Sequence, residues 1–298
     1  MNLSRPLPHE WSFGFLLLTL TLASLVNPHV TREDTRVFSA LTCTALLLFL
    51  ATRGRPGVMA LRWRLVFYPL AMNMVFQQMR TALPAIHPVN RDSWLQALDG
   101  FLMGVTPSLA MEPWIHPWLT EGLSFCYILF IPYLLFSFVY YLFAPPETSI
   151  RFYSGLFTLY AIGFFGYLLV PAAGPWIAMA DRFTTVLEGG WITRLNTAMV
   201  IQGSNRVDVF PSLHCAVSTY LLMFDRRFKP WRYKVYLVPC LGLWVSTLYL
   251  RYHYLVDIIA GFLLAVFCLN LAFSQRLSNN LFISEKKVSI QNPCKKRI

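Results

Sequence analysis

The sequence has few charged residues. Asp, Glu, Lys and Arg make up 13% of its 298 residues, whereas 56% are hydrophobic. So small a charged fraction excludes an ordinary soluble domain, whose surface needs more charged side chains. Repeated apolar runs close to the length that crosses a bilayer indicate instead a polytopic helical membrane protein. We therefore expect an all-α fold embedded in a membrane.

Acidic residues are scarcer than basic ones, 14 against 25, which gives a net charge of +11. A basic excess can indicate nucleic-acid binding. Here the basic residues lie in short loops and in the C-terminal tail, as the topology of a membrane protein requires. We therefore expect no nucleic-acid partner.

The six cysteines do not make a disulfide framework. Five of them lie in apolar runs, where cysteine packs as a small hydrophobic residue. These five are Cys43, Cys126, Cys215, Cys240 and Cys268.

Eight apolar segments are predicted to be membrane helices, near residues 11–26, 37–51, 65–79, 121–143, 152–170, 211–224, 235–250 and 254–273. The first two predict an accessory pair within residues 1–64, and the other six predict a catalytic core over residues 65–273. Residues 274–298 form a basic tail that we expect to be flexible. Helical spacing near residues 93–105 predicts a helix in the membrane interface that lines lipid entry, or one that only caps the bundle.

Basic loops predict the orientation of the chain. The segments 52–64 and 225–234 and the tail are rich in Lys and Arg, and with eight helices they fall on one side together with the N-terminus. Positive charge marks that side as cytoplasmic. The loop 171–210 and the turn 251–253 then face the extracytoplasmic side, which is periplasmic or lumenal.

Two polar clusters at helix ends carry the candidate chemistry, DVFPSLHCAVS from residue 208 and WVSTLYLRYHYLVDIIAG from residue 244. His253 and Asp257 are four apart, so on a helix they would share one face and could hydrogen-bond. A carboxylate that holds one imidazole proton leaves the other nitrogen free as a nucleophile.

The first cluster predicts an anion site. Pro211 suits the first position of a helix, and the N–H groups of that helix start, with the Ser212 hydroxyl, would bind an anion. His214 in the same turn is placed to protonate a leaving oxygen. Arg251 in the second cluster adds a fork-shaped cation that suits phosphate.

FPSLH at 210–214 and STLYLRYHYLVD at 246–257 resemble the PSGH and SR-x5-H-x3-D signatures of the type 2 phosphatidic acid phosphatase superfamily. They look closest to its inositol phosphorylceramide synthase (inositolphosphotransferase) branch, as do VPAAGPW at 170–176 and DGFLMG at 99–104. The resemblance implies that His253 is the nucleophile that forms a phosphohistidine. It implies that Asp257 orients this ring and that His214 is the general acid and later the base.

The chain also departs from the phosphatase pattern. Thr247 stands where the signature has arginine, and the first phosphatase signature, K-x6-RP, is absent. Cations for the phosphate must come from elsewhere, and the candidates are Arg251, Arg206 and Arg80. No further His, Cys or carboxylate beside the histidines completes a typical zinc set, so we expect neither metal nor cofactor.

The expected function is a membrane phosphotransferase that takes a lipid phosphate or phosphodiester as donor and a lipid alcohol as acceptor. With water as acceptor the same chemistry makes an extracytoplasmic lipid phosphatase. A non-catalytic lipid carrier is the alternative from another class. Carriers often show two similar halves with interrupted helices at mid-membrane, whereas this sequence has no such repeat and its polar clusters lie at helix ends.

Overall fold

The computed structural model describes residues 5–55 and 57–274, and over these residues it contains helices and no strand. The predicted basic tail lies outside the described residues, apart from its first residue. The α-helices of the described part are, in order, α1 (Pro8–Val26), α2 (Arg32–Thr52), α3 (Val58–Ile86), α4 (Asp92–Met103), α5 (Pro107–Ala110), α6 (Pro117–Ile128), α7 (Phe130–Leu142), α8 (Pro146–Leu169), α9 (Pro175–Ala178), α10 (Trp191–Gly203), α11 (Leu213–Phe228), α12 (Pro230–Tyr249) and α13 (Leu255–Ser274).

Five stretches of the described chain are long and apolar enough to cross a membrane: α1, α2, α6 together with α7, α8, and α13. This confirms the predicted all-α, polytopic membrane architecture. The other three predicted segments are also helical and correspond to α3, α11 and α12. That these three also cross the membrane stays a prediction.

Several helices begin before their apolar runs because proline occupies their first turn. Pro117, Pro146 and Pro230 each stand at the start of a helix, where the fixed φ angle of proline suits the helix and its missing N–H costs no hydrogen bond. The apolar pattern alone therefore places these starts several residues too late.

The start of α13 lies directly against the start of α11. A Cβ atom at Gly261 would lie 2.5 Å from the carbonyl oxygen of Ser212, so only glycine permits this approach. Gly261 and Ala265 stand four residues apart on α13, and small residues at that spacing allow close helix packing in lipid. The close approach brings the two polar clusters together.

The N-terminal helices are connected to the rest of the bundle by buried polar contacts. Arg64 in α3 is 1% exposed and pairs with Glu10 in α1, and Nδ1 of His9 lies 3.2 Å from the hydroxyl of Ser154 in α8. The predicted boundary between residues 64 and 65 falls within α3. An accessory role for the first two helices stays a prediction.

Both long connections contain helices. The helix predicted near residues 93–105 is present as α4. The predicted outer loop 171–210 contains two further helices, α9 and α10, which the apolar pattern of the sequence does not predict.

Candidate active site

Ser212 sets the position of His214. Its hydroxyl accepts a hydrogen bond of 3.4 Å from the backbone N–H of Cys215, which makes Ser212 the N-cap of α11 and His214 the second residue of the helix. Pro211 therefore precedes the cap, and its predicted place in the first helical turn is wrong. The serine occupies the cap because its side chain can accept a helix N–H, which proline cannot do.

His253 lies in a tight turn between α12 and α13. The carbonyl oxygen of Thr247 accepts hydrogen bonds of 3.0 Å from both Tyr252 N and His253 N, and Arg251 adopts a left-handed φ of 68°. The ring thus projects from a turn that ends two residues before α13 begins. The expectation that His253 and Asp257 share a face of one helix is therefore wrong, although the two side chains still meet.

Asp257 contacts both the ring and the backbone of this turn. Its Oδ2 lies 3.5 Å from Nδ1 of His253, which is a close charge contact but longer than a good hydrogen bond. The same oxygen accepts a hydrogen bond of 2.8 Å from Tyr254 N. One carboxylate therefore faces the imidazole and caps the first turn of α13.

The two histidines face each other. Nε2 of His253 lies 3.4 Å from Nδ1 of His214, and the ring centroids are 5.6 Å apart. On its other side, Nε2 of His214 lies 3.0 Å from the hydroxyl of Tyr127 in α6. The sequence analysis misses Tyr127 because a tyrosine within an apolar run carries no signal of its own.

Burial keeps the His253 ring neutral at physiological pH. The side chain is 3% exposed, and desolvation lowers its pKa to about 4, although the nearby Asp208 carboxylate acts in the opposite direction. A neutral imidazole retains the lone pair that a nucleophile requires.

Both histidines line one cavity of about 490 Å³, together with Asp208 and Tyr252. Much of the remaining wall is apolar and comes from α3, α7 and α8. It includes Phe76, Phe130, Ile131, Leu134, Phe138 and Phe164. A polar end with two imidazoles and a long apolar wall suits a molecule with a polar head and an aliphatic chain.

Two buried carboxylates of α4 hold the His253 turn from outside. Asp99 accepts hydrogen bonds of 3.1 Å from both Leu255 N and Val256 N, so it satisfies the first N–H groups of α13. These contacts make α4 part of the active-site scaffold, and whether it lies in the membrane interface or only caps the bundle stays a prediction.

Asp92 at the start of α4 connects the same turn to the segment after α8. It accepts hydrogen bonds of 2.7 Å from Ala173 N, 2.8 Å from Gly174 N and 2.7 Å from the hydroxyl of Tyr254. Gly174 has a φ of 89° and lies so close to the turn that a Cβ atom would be 2.5 Å from Tyr252 O. The AAGPW segment thus supports the His253 turn.

The candidate phosphate ligands lie elsewhere. Arg251 donates to Thr185 O at 2.6 Å and to Glu112 at 3.2 Å, and the Ser212 hydroxyl is engaged as a helix cap. Arg80 and Arg206 line a different cavity. None of these four lines the histidine cavity among the described residues. Their assignment as ligands of the transferred phosphate stays a prediction.

Comparisons with known proteins agree with the sequence motifs. Residues 93–271, more than half of the chain, match the family model described as the PAP2 superfamily. A phosphoinositol dihydroceramide synthase from Bacteroides thetaiotaomicron is 27% identical over 164 residues, which are 49% of this chain and 54% of that protein. The chain thus spans about half the length of this relative. No solved structure matches the chain significantly.

Proposed function

The chain belongs to the PAP2 superfamily, and from that premise we propose that it is a phosphotransferase that moves a phospho-head group from one membrane lipid to another. The type 2 phosphatidic acid phosphatase signatures of the sequence lie within the matched residues. The proposed intermediate is a phosphohistidine at His253.

The observation that carries this proposal is the position of the two facing imidazoles at the polar end of an apolar cavity. A soluble phosphate ester would need only the polar end. The apolar wall gives an acyl chain a place to lie while its head group reaches the histidines. This geometry favours a lipid on both sides of the reaction.

In the first step, Nε2 of His253 attacks the phosphorus of the donor. The N–P bond forms as the bond from phosphorus to the lipid oxygen breaks, and His214 gives its proton to the leaving oxygen. The negative charge of the bound donor favours the protonated form of His214 that this step requires. Asp257 faces Nδ1 of His253 and stabilises the ring as it becomes positive.

In the second step, His214 takes the proton of an acceptor hydroxyl whose oxygen attacks the phosphorus. The N–P bond breaks, His253 returns to its neutral form, and His214 is again protonated. Each histidine thus ends the cycle as it began. A lipid alcohol as acceptor yields a new phospholipid, whereas water yields a free phosphate ester.

The matched relative is named a phosphoinositol dihydroceramide synthase. For this chain we propose a phosphoinositide as donor and a ceramide as acceptor, which also agrees with the inositol phosphorylceramide synthase branch that its motifs resemble.

Labelled substrates test this proposal. The purified protein is incubated with ceramide and a phosphoinositide that carries radioactive phosphorus, and the products are separated. We expect the label on ceramide. Label in a water-soluble product alone would replace the transferase with a phosphatase. No turnover, together with movement of lipid between vesicles, would favour the carrier.

Trapping the intermediate tests the nucleophile. Rapid quenching during turnover is expected to yield protein with an acid-labile phosphate, and His253→Gln is expected to abolish it. The matched control is His29→Gln, since His29 is an exposed histidine in the short link between α1 and α2. Retained labelling in His253→Gln would remove His253 from its assigned role.

A further inference from the structure

A second cavity, of about 330 Å³, adjoins the turn formed by residues 204–208. The ends of this turn, Ser204 and Asp208, line the histidine cavity. Its middle residues, Asn205 to Val207, line the second cavity. The same short segment therefore separates the two spaces, and the second cavity is not an extension of the first.

The second cavity is basic. Arg80 and Arg206 line it, and none of its lining residues in the described part of the chain is a carboxylate. Arg80 uses Nη1 to donate to Gln202 O at 3.2 Å, and its other guanidinium donors remain available. Among the described residues, the guanidinium of Arg206 has no hydrogen bond or ion pair, and only its backbone N–H is engaged, with Ser204.

The backbone at Arg206 gives arginine no advantage. Its φ of 61° lies in the left-handed region, which is unfavourable for a residue with a Cβ atom and which glycine adopts freely. The turn is held by Ser204, whose hydroxyl accepts from Arg206 N and donates to Asp208, both at 3.0 Å. The arginine is therefore present for its side chain, which this turn directs to the cavity.

A half-buried imidazole completes the lining. Nδ1 of His87 is inaccessible and has no hydrogen-bond partner in the described structure, and His87 lines the same cavity as the two arginines. Two forked cations beside an imidazole that can donate match the oxygens of a phosphate group better than those of a neutral ligand.

The cavity lies at the end of α3. This helix has 29 residues, or ~43 Å at about 1.5 Å per residue, which is close to the full thickness of a bilayer with its head groups. Arg80 lies within its last two turns and His87 follows it directly. A lipid phosphate would reach the second cavity at this level.

We propose that Arg80 and Arg206 bind a phosphate group, from a lipid head group or free in solution, at a site separate from the histidine cavity. This proposal needs no turnover and is independent of the proposed function. His253 does not line this cavity, so for Arg80 and Arg206 this proposal replaces the prediction that they bind the transferred phosphate.

Binding measurements on the full chain in detergent micelles test the site. The probes are inorganic phosphate and short-chain phosphatidic acid, with short-chain diacylglycerol as the control without phosphate, and titration calorimetry gives affinity and stoichiometry. The measurements are made in the His253→Gln background, where no phosphohistidine can form. Tighter binding of phosphatidic acid than of phosphate would identify a lipid head group as the source, and equal binding would identify free phosphate.

Two variants remove the cations. Arg206→Gly suits the left-handed backbone and keeps the turn, and Arg80→Gln keeps a polar side chain on α3. Each is expected to weaken the binding event about tenfold or more, since a hydrogen bond to a charged group contributes about 1.5–3 kcal/mol. Arg182→Gln, at an exposed arginine that does not line the cavity, is the matched control and should bind as before. Unchanged affinity and stoichiometry in both variants would overturn the proposal, as would the absence of phosphate and phosphatidic acid binding in the His253→Gln background.

Discussion

Oδ2 of Asp257 lies 3.5 Å from Nδ1 of His253 and also accepts the backbone N–H of Tyr254. The carboxylate therefore orients the ring and holds the turn that presents it. In the proposed mechanism it also stabilises the positive charge that His253 gains when its Nε2 is phosphorylated.

We expect Asp257→Asn to keep the fold and to lose most of the activity. Asparagine still accepts the Tyr254 N–H through its amide oxygen but carries no charge that could stabilise a positive ring. Replacing the carboxylate that orients a catalytic histidine costs about 10³–10⁴-fold in rate in enzymes with a similar arrangement. Turnover and the melting temperature are measured together. Activity within tenfold of the wild type would contradict the role of Asp257.

A chain of three contacts sets the ring tautomers. If the hydroxyl of Tyr127 donates to Nε2 of His214, Nδ1 of that ring carries the proton and faces Nε2 of His253. His253 then keeps its own proton on Nδ1, toward Asp257, and its Nε2 carries a lone pair and no proton. Tyr127 thus helps to keep the nucleophilic nitrogen unprotonated.

Tyr127→Phe is expected to lower kcat about tenfold, which corresponds to the loss of one hydrogen bond that contributes about 1.5 kcal/mol. KM should change little. The matched control is Tyr236→Phe, since Tyr236 stacks on Tyr133 and does not line the histidine cavity. Initial rates over a range of donor concentrations separate kcat from KM. Equal kcat in the two variants would show that the Tyr127 hydroxyl does not act on His214.

Asp99 of α4 reaches the site through the start of α13. We expect Asp99→Asn to lower stability by about 1 kcal/mol, as for a lost helix cap, and to lower kcat even far below the melting temperature, because the turn that carries His253 is less well held. Asp181→Asn removes an exposed carboxylate from the same face and is the control. The phosphohistidine level at quench should fall in Asp99→Asn only. A normal level with lowered stability would limit Asp99 to a structural role.

The pH dependence follows from the pKa of His253, which burial lowers to about 4. The ring is neutral and able to attack above that pH, and it is protonated below it. We therefore expect kcat/KM to decline as the pH is lowered through about 4, and not through about 6.5, the ordinary pKa of histidine. Because Asp208 raises the pKa of His253, Asp208→Asn should move the limb to still lower pH. A limb near the ordinary value in the wild type would contradict this assignment.

The sequence predicted the reactive groups better than their surroundings. His253 and Asp257 are close in the chain, and the motif pairs them with His214, so their meeting could be expected from spacing and resemblance. Asp99 contacts Leu255 across 156 residues and Tyr127 contacts His214 across 87. No local sequence pattern predicts such contacts, because they depend on how the helices pack.

The side-chain contacts of Arg251 could not be predicted from its position in the chain. Its place two residues before His253 made it a natural phosphate ligand, yet its guanidinium packs 4.0 Å over the ring of Phe183 and pairs with Glu112. Sequence distance places a residue near a site but does not determine the side to which its side chain turns. The helices were predicted more reliably because a bilayer leaves an apolar run of spanning length few possible structures. Its backbone N–H and C=O groups must be hydrogen-bonded within the protein, as they are in a helix.

The two ends of α11 and α12 predict the orientation of the chain in the membrane. The histidine site lies where α11 begins and α12 ends, and the basic link at residues 225–234 lies at their other ends. α12 has 20 residues, or ~30 Å at about 1.5 Å per residue, which is the thickness of the hydrocarbon core. If positive charge keeps the link in the cytoplasm, the site must face the other side.

A cysteine placed on each side of the membrane separates the two orientations. Val186→Cys, at a side chain that is 71% exposed near the site, should react with a membrane-impermeant thiol reagent applied to intact cells. Arg226→Cys in the basic link should react only after the cells are opened, and the wild-type chain measures the background from the native cysteines. The reverse pattern would place the site on the cytoplasmic face. The lipid donor and acceptor would then have to be drawn from the inner leaflet, because both reach the histidines through the same cavity.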